Sequence, residues 1–157
     1  MTDLRTDLFI ANEWRKPESG KRFAVTNPAT EELLAEVAFA GQADVDAAVA
    51  AARGCLEGDA WRALSPRKRG ALLYRAGDLL EQGAEEMARL ETRQNGKPFF
   101  ESKIDVAMTV ETLRYYAGWA DKLTGDTLPV DGPFFTYTLR EPVGVVAAIV
   151  PWNFPLQ

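Results

Sequence analysis

The apolar run from Val143 to Val150 constrains the fold more than any other part of the sequence. It does not alternate between apolar and polar positions, which is typical of a strand covered on both faces in the middle of a parallel sheet. Each parallel neighbour of such a strand is reached through a crossover of about a dozen or more residues. Because the chain ends at Gln157, we expect an α/β fold whose other central strands this chain does not encode.

The residues before this run predict short strands followed by three main helices. Strands with turn-forming residues between them are indicated at Leu8–Ile10, Arg22–Thr26 and Leu33–Ala38. Apolar residues at helical spacing then predict a first helix capped by Asp44, a second from Ser65 to Asn95, and a third over residues 100–123. The expected inward positions of the last two helices are Leu72, Leu73, Ala76, Leu79, Leu80, Met87, Leu90, Ile104, Ala107, Met108, Leu113, Tyr116, Ala117 and Ala120.

A hairpin is predicted at residues 126–142, with its turn at Asp131 and Gly132. Phe135, Tyr137 and Leu139 share one face of its second strand. An isolated two-stranded hairpin is marginally stable in water, so this aromatic face needs a cover. The cover is either the hairpin's own domain or another subunit, and the residues alone favour neither.

Composition and charge exclude several functions. The formal net charge is −5 with no cluster of Lys and Arg, which disfavours nucleic acid and polybasic membrane contacts. The longest apolar stretch is about half of the ~20 residues that a membrane helix needs. The N-terminus has no signal-peptide pattern, and a single cysteine, Cys55, fits a reducing, cytoplasmic location.

The sequence contains no histidine. This removes the commonest general base, the commonest metal ligand and the usual partner of a cysteine nucleophile. Cys55 follows an alanine-rich helical stretch, where small apolar packing is its expected role. With no credible pair of nucleophile and base, we expect the chain to catalyse nothing alone.

The residues at 151–155, Pro-Trp-Asn-Phe-Pro, follow the predicted buried strand directly. Ligands of open α/β sheets bind at the carboxyl ends of the strands. A rigidly held Asn153 amide there could stabilise an oxyanion. The alternative is a turn in which Trp152 and Phe154 fill core and Asn153 bonds the backbone.

The chain resembles the N-terminal part of the NAD(P)-dependent aldehyde dehydrogenase superfamily over nearly its whole length and in the family's order. The matching segments are 8–10, 12–14, 27–30, 44–49, 95–98, 114–120, 140–145 and, as the most specific, 151–155. The resemblance implies an incomplete Rossmann-like cofactor-binding domain. It comprises residues 1–125, an oligomerisation hairpin at 126–142, and the first buried strand with the start of the cofactor and oxyanion segment at 143–157.

The resemblance also implies roles for single residues. Asn153 matches the asparagine whose amide holds the oxyanion formed when a cysteine thiolate attacks an aldehyde. Val150, Pro151 and Trp152 match the wall of the nicotinamide ribose of NAD or NADP. Phe154 and Met108 are similar to residues that wall the aldehyde tunnel.

The family's nucleophilic cysteine, glutamate base, ribose-binding lysine and pyrophosphate turn are expected beyond Gln157. Glu31 stands where the family's turn usually has glycine, so strain is expected there. Gln94 stands where an acid is usual near a cation site, so no metal is predicted. Lys97 is interpreted as a cation near a helix C-terminus.

The leading hypothesis is therefore an N-terminal fragment of an aldehyde dehydrogenase that oxidises aldehydes as a homo-oligomer when complete. The alternative is a short interaction protein that associates with full-length subunits through its hairpin. A third possibility is an independent module that binds a small ligand against Trp152 and Phe154.

Overall fold

The computed structural model describes residues 4–156. Residues 1–3 and 157, which two of the predicted domain ranges include, lie outside the described residues. The elements in chain order are β1 (Leu8–Ile10), β2 (Glu13–Arg15), β3 (Arg22–Thr26), β4 (Leu33–Ala38), α1 (Gln42–Glu57), α2 (Asp59–Arg62), α3 (Pro66–Gln82), α4 (Ala84–Asn95), α5 (Phe99–Trp119), β5 (Thr127–Leu128) and β6 (Thr136–Tyr137). Helices and small strand pairs together make the mixed α/β architecture expected from the sequence.

The N-terminal strands pair as two antiparallel hairpins, β1 with β2 and β3 with β4. The three predicted strands are confirmed, and β2 is an additional one that the sequence analysis missed. Arg22 on β3 connects the second hairpin to the residues just before β1. Its guanidinium donates to the Asp7 carboxylate at 2.7 Å and to the Thr6 hydroxyl at 2.6 Å.

The helix starts follow local hydrogen-bond chemistry. Ser65 caps α3 as predicted, with its hydroxyl oxygen accepting from the Lys68 N–H at 3.3 Å. Asp44 helps to cap α1 from the third helical position rather than from the N-cap, since the helix begins two residues earlier, at Gln42, and Gly41 is its N-cap. The buried Asp44 carboxylate accepts from the N–H groups of Gly41 at 2.9 Å and Glu18 at 3.0 Å.

The predicted second helix is in fact two helices, α3 and α4. The chain bends at Gly83, whose N–H donates to the carbonyls of Leu79 and Leu80 at 3.3 and 3.2 Å. The predicted third helix is confirmed in type but ends at Trp119 rather than at Leu123.

The core lies where α3 and α4 pack on α5, and its composition corrects the predicted inward faces. The residues that face inward are small, polar or valine: Gly70, Gly77, Ala88, Glu91, Ser102, Asp105, Val106 and Val110. Seven predicted inward positions are exposed, namely Leu72, Ala76, Leu79, Ile104, Ala107, Met108 and Tyr116. The others on that list, such as Leu73 and Leu113, are half-buried. Glycine allows the helix backbones to approach closely, so the faces with small residues meet and the larger leucine and methionine side chains are left half-buried or exposed.

The predicted hairpin forms, although its strands are shorter than expected. Thr127 pairs with Tyr137 and Leu128 with Thr136 in antiparallel register. The Thr138 hydroxyl accepts from the Asp126 N–H at 2.8 Å, and the Thr138 N–H donates to the Asp126 carbonyl at 2.9 Å.

Residues 143–150 form no strand in the structure. Val143 and Ile149 are 100% and 98% exposed, so the run is neither paired nor buried, and the prediction of a buried strand is wrong for this chain. A strand needs hydrogen-bonding neighbours, and the described residues supply none to this run. Within residues 4–156, no helix is both long enough and apolar enough to cross a membrane.

Candidate functional site

The segment from Trp152 to Leu156 lies against the junction of α4 and α5, where side chains hold its backbone. Asn95 donates its side-chain amide to the Trp152 carbonyl at 2.6 Å, and the Lys97 ammonium donates to the Asn153 carbonyl at 2.7 Å. Further along, the Thr109 hydroxyl lies 2.8 Å from the Asp105 carbonyl and 3.2 Å from the Leu156 carbonyl, so the two oxygens share its one proton. The segment therefore depends on side chains, not on a strand ladder, for its position.

The sequence Asn-Gly-Lys-Pro at 95–98 makes the sharp turn that places these donors. Gly96 has φ +87°, a left-handed conformation that glycine adopts without a Cβ penalty, and its N–H closes α4 on the Thr92 carbonyl at 2.8 Å. A Cβ at Gly96 would also lie 2.7 Å from Cγ of Pro28. Pro98 then precedes the first turn of α5. Lys97 is thus held between two packed helices.

Two buried carboxylates flank the Lys97 ammonium. Glu91 on α4 accepts at 3.0 Å and Asp105 on α5 accepts a short hydrogen bond, and the three side chains are 2%, 7% and 9% exposed for Glu91, Asp105 and Lys97. Burial lowers the pKa of Lys97, but hydrogen bonds to Asp105 and Glu91 outweigh it and raise that pKa above its usual value. Lys97 is therefore charged at neutral pH.

A cleft of about 480 Å³ opens beside this ion cluster. Its lining residues are Asn95, Lys97, Glu101, Ile104, Asp105, Asn153 and Phe154. The Lys97 ammonium lies 4.6 Å from the centre of the Phe154 ring, a cation–π contact that fixes one wall. The cleft combines an apolar side with a few convergent polar groups, as small-molecule sites do.

The structure brings two of the sequence-predicted site residues, Asn153 and Phe154, into the cleft. The side-chain amide of the exposed Asn153 makes no hydrogen bond to residues 4–156, so its N–H groups remain available as donors. Met108 lies on the next turn of α5 beyond Ile104 and is 42% exposed.

The remaining predicted positions, Val150, Pro151 and Trp152, form an exposed apolar face next to the cleft. Val150 is 60% and Trp152 is 85% exposed. The alternative in which Trp152 fills core is therefore wrong for this chain. The described residues also contain no group of three or more His, Cys, Asp or Glu side chains arranged to hold a metal ion.

Sequence reasoning missed the main role of Lys97 and misjudged Cys55. The usable signal for Lys97 was an acid on each flanking helix, at positions 91 and 105. Cys55 lies within α1 and is exposed rather than packed. It is not among the residues that line the cleft.

Comparison with known proteins assigns the family. The aldehyde dehydrogenase family model matches residues 14–157, and the chain therefore belongs to the aldehyde dehydrogenase family. It is 49% identical over 160 residues to aldehyde dehydrogenase 1A1 of Macaca fascicularis, covering 99% of this chain and 32% of that protein. It is also 49% identical over 153 residues to retinal dehydrogenase 2 of Mus musculus, covering 96% of this chain and 30% of that protein.

Solved structures agree with this assignment. The NAD+ complex of an aldehyde dehydrogenase from Bacillus cereus superimposes with a TM-score of 0.93 at 45% identity, covering 96% of this chain and 31% of that one. The chain thus spans about a third of the length of the relatives it matches, and it corresponds to an N-terminal portion of an aldehyde dehydrogenase.

Proposed function

We propose that these residues serve the NAD(P)-dependent oxidation of an aldehyde to a carboxylic acid, with Asn153 as the oxyanion donor. The observation that carries the proposal is an exposed, unpaired amide on a backbone fixed by a buried ion cluster, at the mouth of a half-apolar cleft. Family membership and the NAD+ complex of a relative support it.

The proposed chemical role of Asn153 follows from its neutral side-chain amide, whose N–H groups can donate hydrogen bonds. When a thiolate adds to an aldehyde carbonyl, the oxygen gains negative charge, and a prepositioned N–H donor stabilises that charge without reorganising. The Asn153 amide is neutral and needs no protonation change. Phe154 and Met108 would provide the apolar walls beside the aldehyde carbon chain.

The proposed cofactor wall consists of Val150, Pro151 and Trp152. These residues fit a flat ligand, because they present exposed apolar surface next to the Asn153 donor. They would hold the nicotinamide end of NAD or NADP, which would supply the hydride acceptor for the oxidation. The task of these three residues is to orient that ligand and exclude water from one side.

The proposal includes the domain ranges and the assembly. Residues 1–125 would belong to the cofactor-binding domain and 126–142 would form the oligomerisation hairpin. Residues 143–150 form no strand in this chain, and they would become a central strand of the 143–157 segment only where parallel neighbours are supplied. In the hairpin, Phe135 is 79% and Leu139 is 70% exposed. Such a surface suits a homo-oligomer contact, and a reducing cytoplasmic location completes the proposal.

A chimaeric enzyme tests the catalytic part. This chain would replace the matching part of the Bacillus cereus enzyme, and NADH formation from a short aliphatic aldehyde would be measured. Asn153→Ala should lower kcat about 100- to 1,000-fold. Gln94, an exposed amide that is not among the residues lining the cleft, supplies the control, and Gln94→Ala should leave kcat unchanged. An unchanged kcat in Asn153→Ala would show that Asn153 is not the oxyanion donor.

The 157-residue chain alone should form no NADH under the same conditions. Cys55 lies on α1 outside the cleft lining, so no described thiol adjoins Asn153. Measurable NADH formation by this chain alone would contradict the expected inactivity.

A second candidate function is association with full-length aldehyde dehydrogenase subunits. It is favoured by the exposure of Phe135, Leu139, Val143 and Ile149, which leaves apolar surface in two successive segments. Mixing the purified chain with a full-length relative tests it. Co-elution in size exclusion would support the candidate, and separate elution would count against it.

A further inference from the structure

The ammonium of Lys97 has no spare donor. A lysine ammonium carries three N–H bonds, and three acceptors converge on this one: Glu91 Oε1, Asp105 Oδ2 and the Asn153 carbonyl oxygen. Two of the acceptors are buried carboxylates on different helices, so the direction of the third N–H bond is set by α4 and α5. That third bond points to the residue that carries the proposed oxyanion donor.

The net charge of the cluster of Glu91, Lys97 and Asp105 keeps the Lys97 ammonium between the two carboxylates. Two carboxylates and one ammonium give a net charge of −1, and the second oxygen of Glu91 is buried with no hydrogen-bond partner among residues 4–156. Removing a partner from a buried charge cluster is costly. The ammonium therefore cannot swing into solvent without leaving both carboxylates uncompensated.

The neighbouring contacts limit how the segment can move around this point. Asn95 holds the preceding carbonyl of Trp152, and the Phe154 ring lies against the same ammonium. The backbone on both sides of Asn153 is consequently tied to the turn at 95–98. The Asn153 side chain leaves the backbone between these two contacts.

We infer that Lys97 is a positioning residue for catalysis. Fixed by Glu91 and Asp105, it holds the main-chain carbonyl of Asn153 and thereby aims the Asn153 amide at the oxygen of the reacting aldehyde. The inference rests on the proposed function of Asn153. It assigns Lys97 no contact with substrate or cofactor.

This role predicts an effect on kcat rather than on KM. The N–H bond of the Asn153 amide matters most when the aldehyde oxygen becomes charged. Misdirecting this N–H bond therefore weakens transition-state binding more than substrate binding. A donor displaced by about 1 Å costs on the order of 100-fold in rate. We expect Lys97→Met to lower kcat at least about ten-fold with KM little changed.

The test uses the chimaeric enzyme with Lys97→Met, Lys97→Arg and, as a matched control, Lys103→Met. Lys103 is an exposed lysine on α5 that lies over Phe99. Lys97→Arg keeps the positive charge between the two carboxylates and so serves as a second variant if Lys97→Met is unstable, but a planar guanidinium does not match three converging acceptors. Both Lys97 variants should lower kcat, and the control should not.

Two further readouts separate positioning from a general loss of stability. Hydrogen exchange of the peptide covering residues 152–156 should be faster in both Lys97 variants, with exchange in α1 unchanged. In an Asn153→Ala background, replacing Lys97 should lower kcat no further, because the two residues act as a unit. A purely structural role would reduce kcat in both backgrounds.

The failures of the two proposals are distinguishable. If Asn153→Ala leaves kcat unchanged, the proposed function itself is wrong. If Asn153→Ala lowers kcat while Lys97→Arg alters neither kcat nor exchange at 152–156, the proposed function stands and the inference about Lys97 is overturned.

Discussion

Gly70 on α3 and Ala117 on α5 approach each other so closely that a Cβ atom at Gly70 would lie 2.6 Å from the Ala117 carbonyl oxygen. The same Cβ would lie 3.1 Å from the Cβ of Ala120. The first neighbour is backbone, which cannot yield as a flexible side chain can. The absence of a side chain at position 70 therefore sets the distance between the two helices.

Gly70→Ala should lower the free energy of unfolding by about 1–3 kcal/mol, since it overpacks a helix crossing. Gly54 in α1 provides the control, because nothing lies within 4 Å of a Cβ placed there. Gly54→Ala should raise stability by up to about 1 kcal/mol through helix propensity. Urea unfolding followed by circular dichroism measures both changes. Equal effects of the two substitutions would contradict the packing argument.

Glu31 occupies a backbone conformation that suits glycine. Its φ is +61°, in the turn that closes with the Glu31 N–H donating to the Asn27 carbonyl at 2.7 Å. The left-handed region costs a residue with a side chain roughly 1–2 kcal/mol. Glu31→Gly should therefore raise the melting temperature, even though glycine adds entropy to the unfolded chain.

Glu36 is the control for this prediction, because it is an exposed glutamate in the interior of β4. Glu36→Gly should lower stability by roughly 0.5–1 kcal/mol, as glycine does in a strand. Melting temperatures of the two variants should thus move in opposite directions. A lower melting temperature in Glu31→Gly would show that the turn is not strained.

Local signals in the sequence predicted the elements well, and they predicted the packing poorly. Ser65, the turn at 27–30 and the stop at Gly96 are decided by nearby residues, so strands, caps and helix ends could be anticipated. Which helix face is buried depends on partners distant in sequence. The leucine stripes of α3 indicated one face, and the close approach at Gly70 and Gly77 selected another.

The candidate site likewise contains residues that a sequence motif identified and residues that only the packing of helices brings together. Asn153 and Phe154 were found because a specific motif carries them, and the structure places both in one cleft. Glu91, Lys97 and Asp105 meet only through the turn between α4 and α5. The acids at positions 91 and 105 were visible in the sequence, but their meeting on Lys97 depends on how α4 and α5 pack, which local patterns do not determine.

The exposed aromatic face of the hairpin leads to a prediction about self-association. Phe135 is 79% exposed and contacts Tyr137, with ring centres 5.8 Å apart. Phe135→Ser should reduce self-association of the chain at high concentration, because it removes apolar surface from the proposed interface. Phe100 on α5 is 63% exposed, and Phe100→Ser is the matched control. Sedimentation equilibrium compares them, and equal association constants would argue against the hairpin as the contact.

The stabilising effect of the Lys97 cluster should depend on pH in the alkaline range. Burial lowers the pKa of Lys97, but hydrogen bonds to Asp105 and Glu91 raise it above the ordinary value of 10.5 in the folded state. A group whose pKa is higher in the folded state gives its full stabilisation below the unfolded pKa. That stabilisation disappears as pH rises through the folded pKa.

The measurement is the difference in free energy of unfolding between the unchanged chain and Lys97→Met, taken at a series of pH values. The difference should stay constant from neutral pH towards 10.5 and shrink above it. Subtraction cancels the titration of groups that both proteins share. Lys103→Met, which removes an exposed ammonium, should change the free energy little throughout. A Lys97 difference that grows with pH would mean that the pKa of Lys97 is lower in the folded state than in the unfolded state. The two carboxylates would then not stabilise the ammonium enough to outweigh its burial.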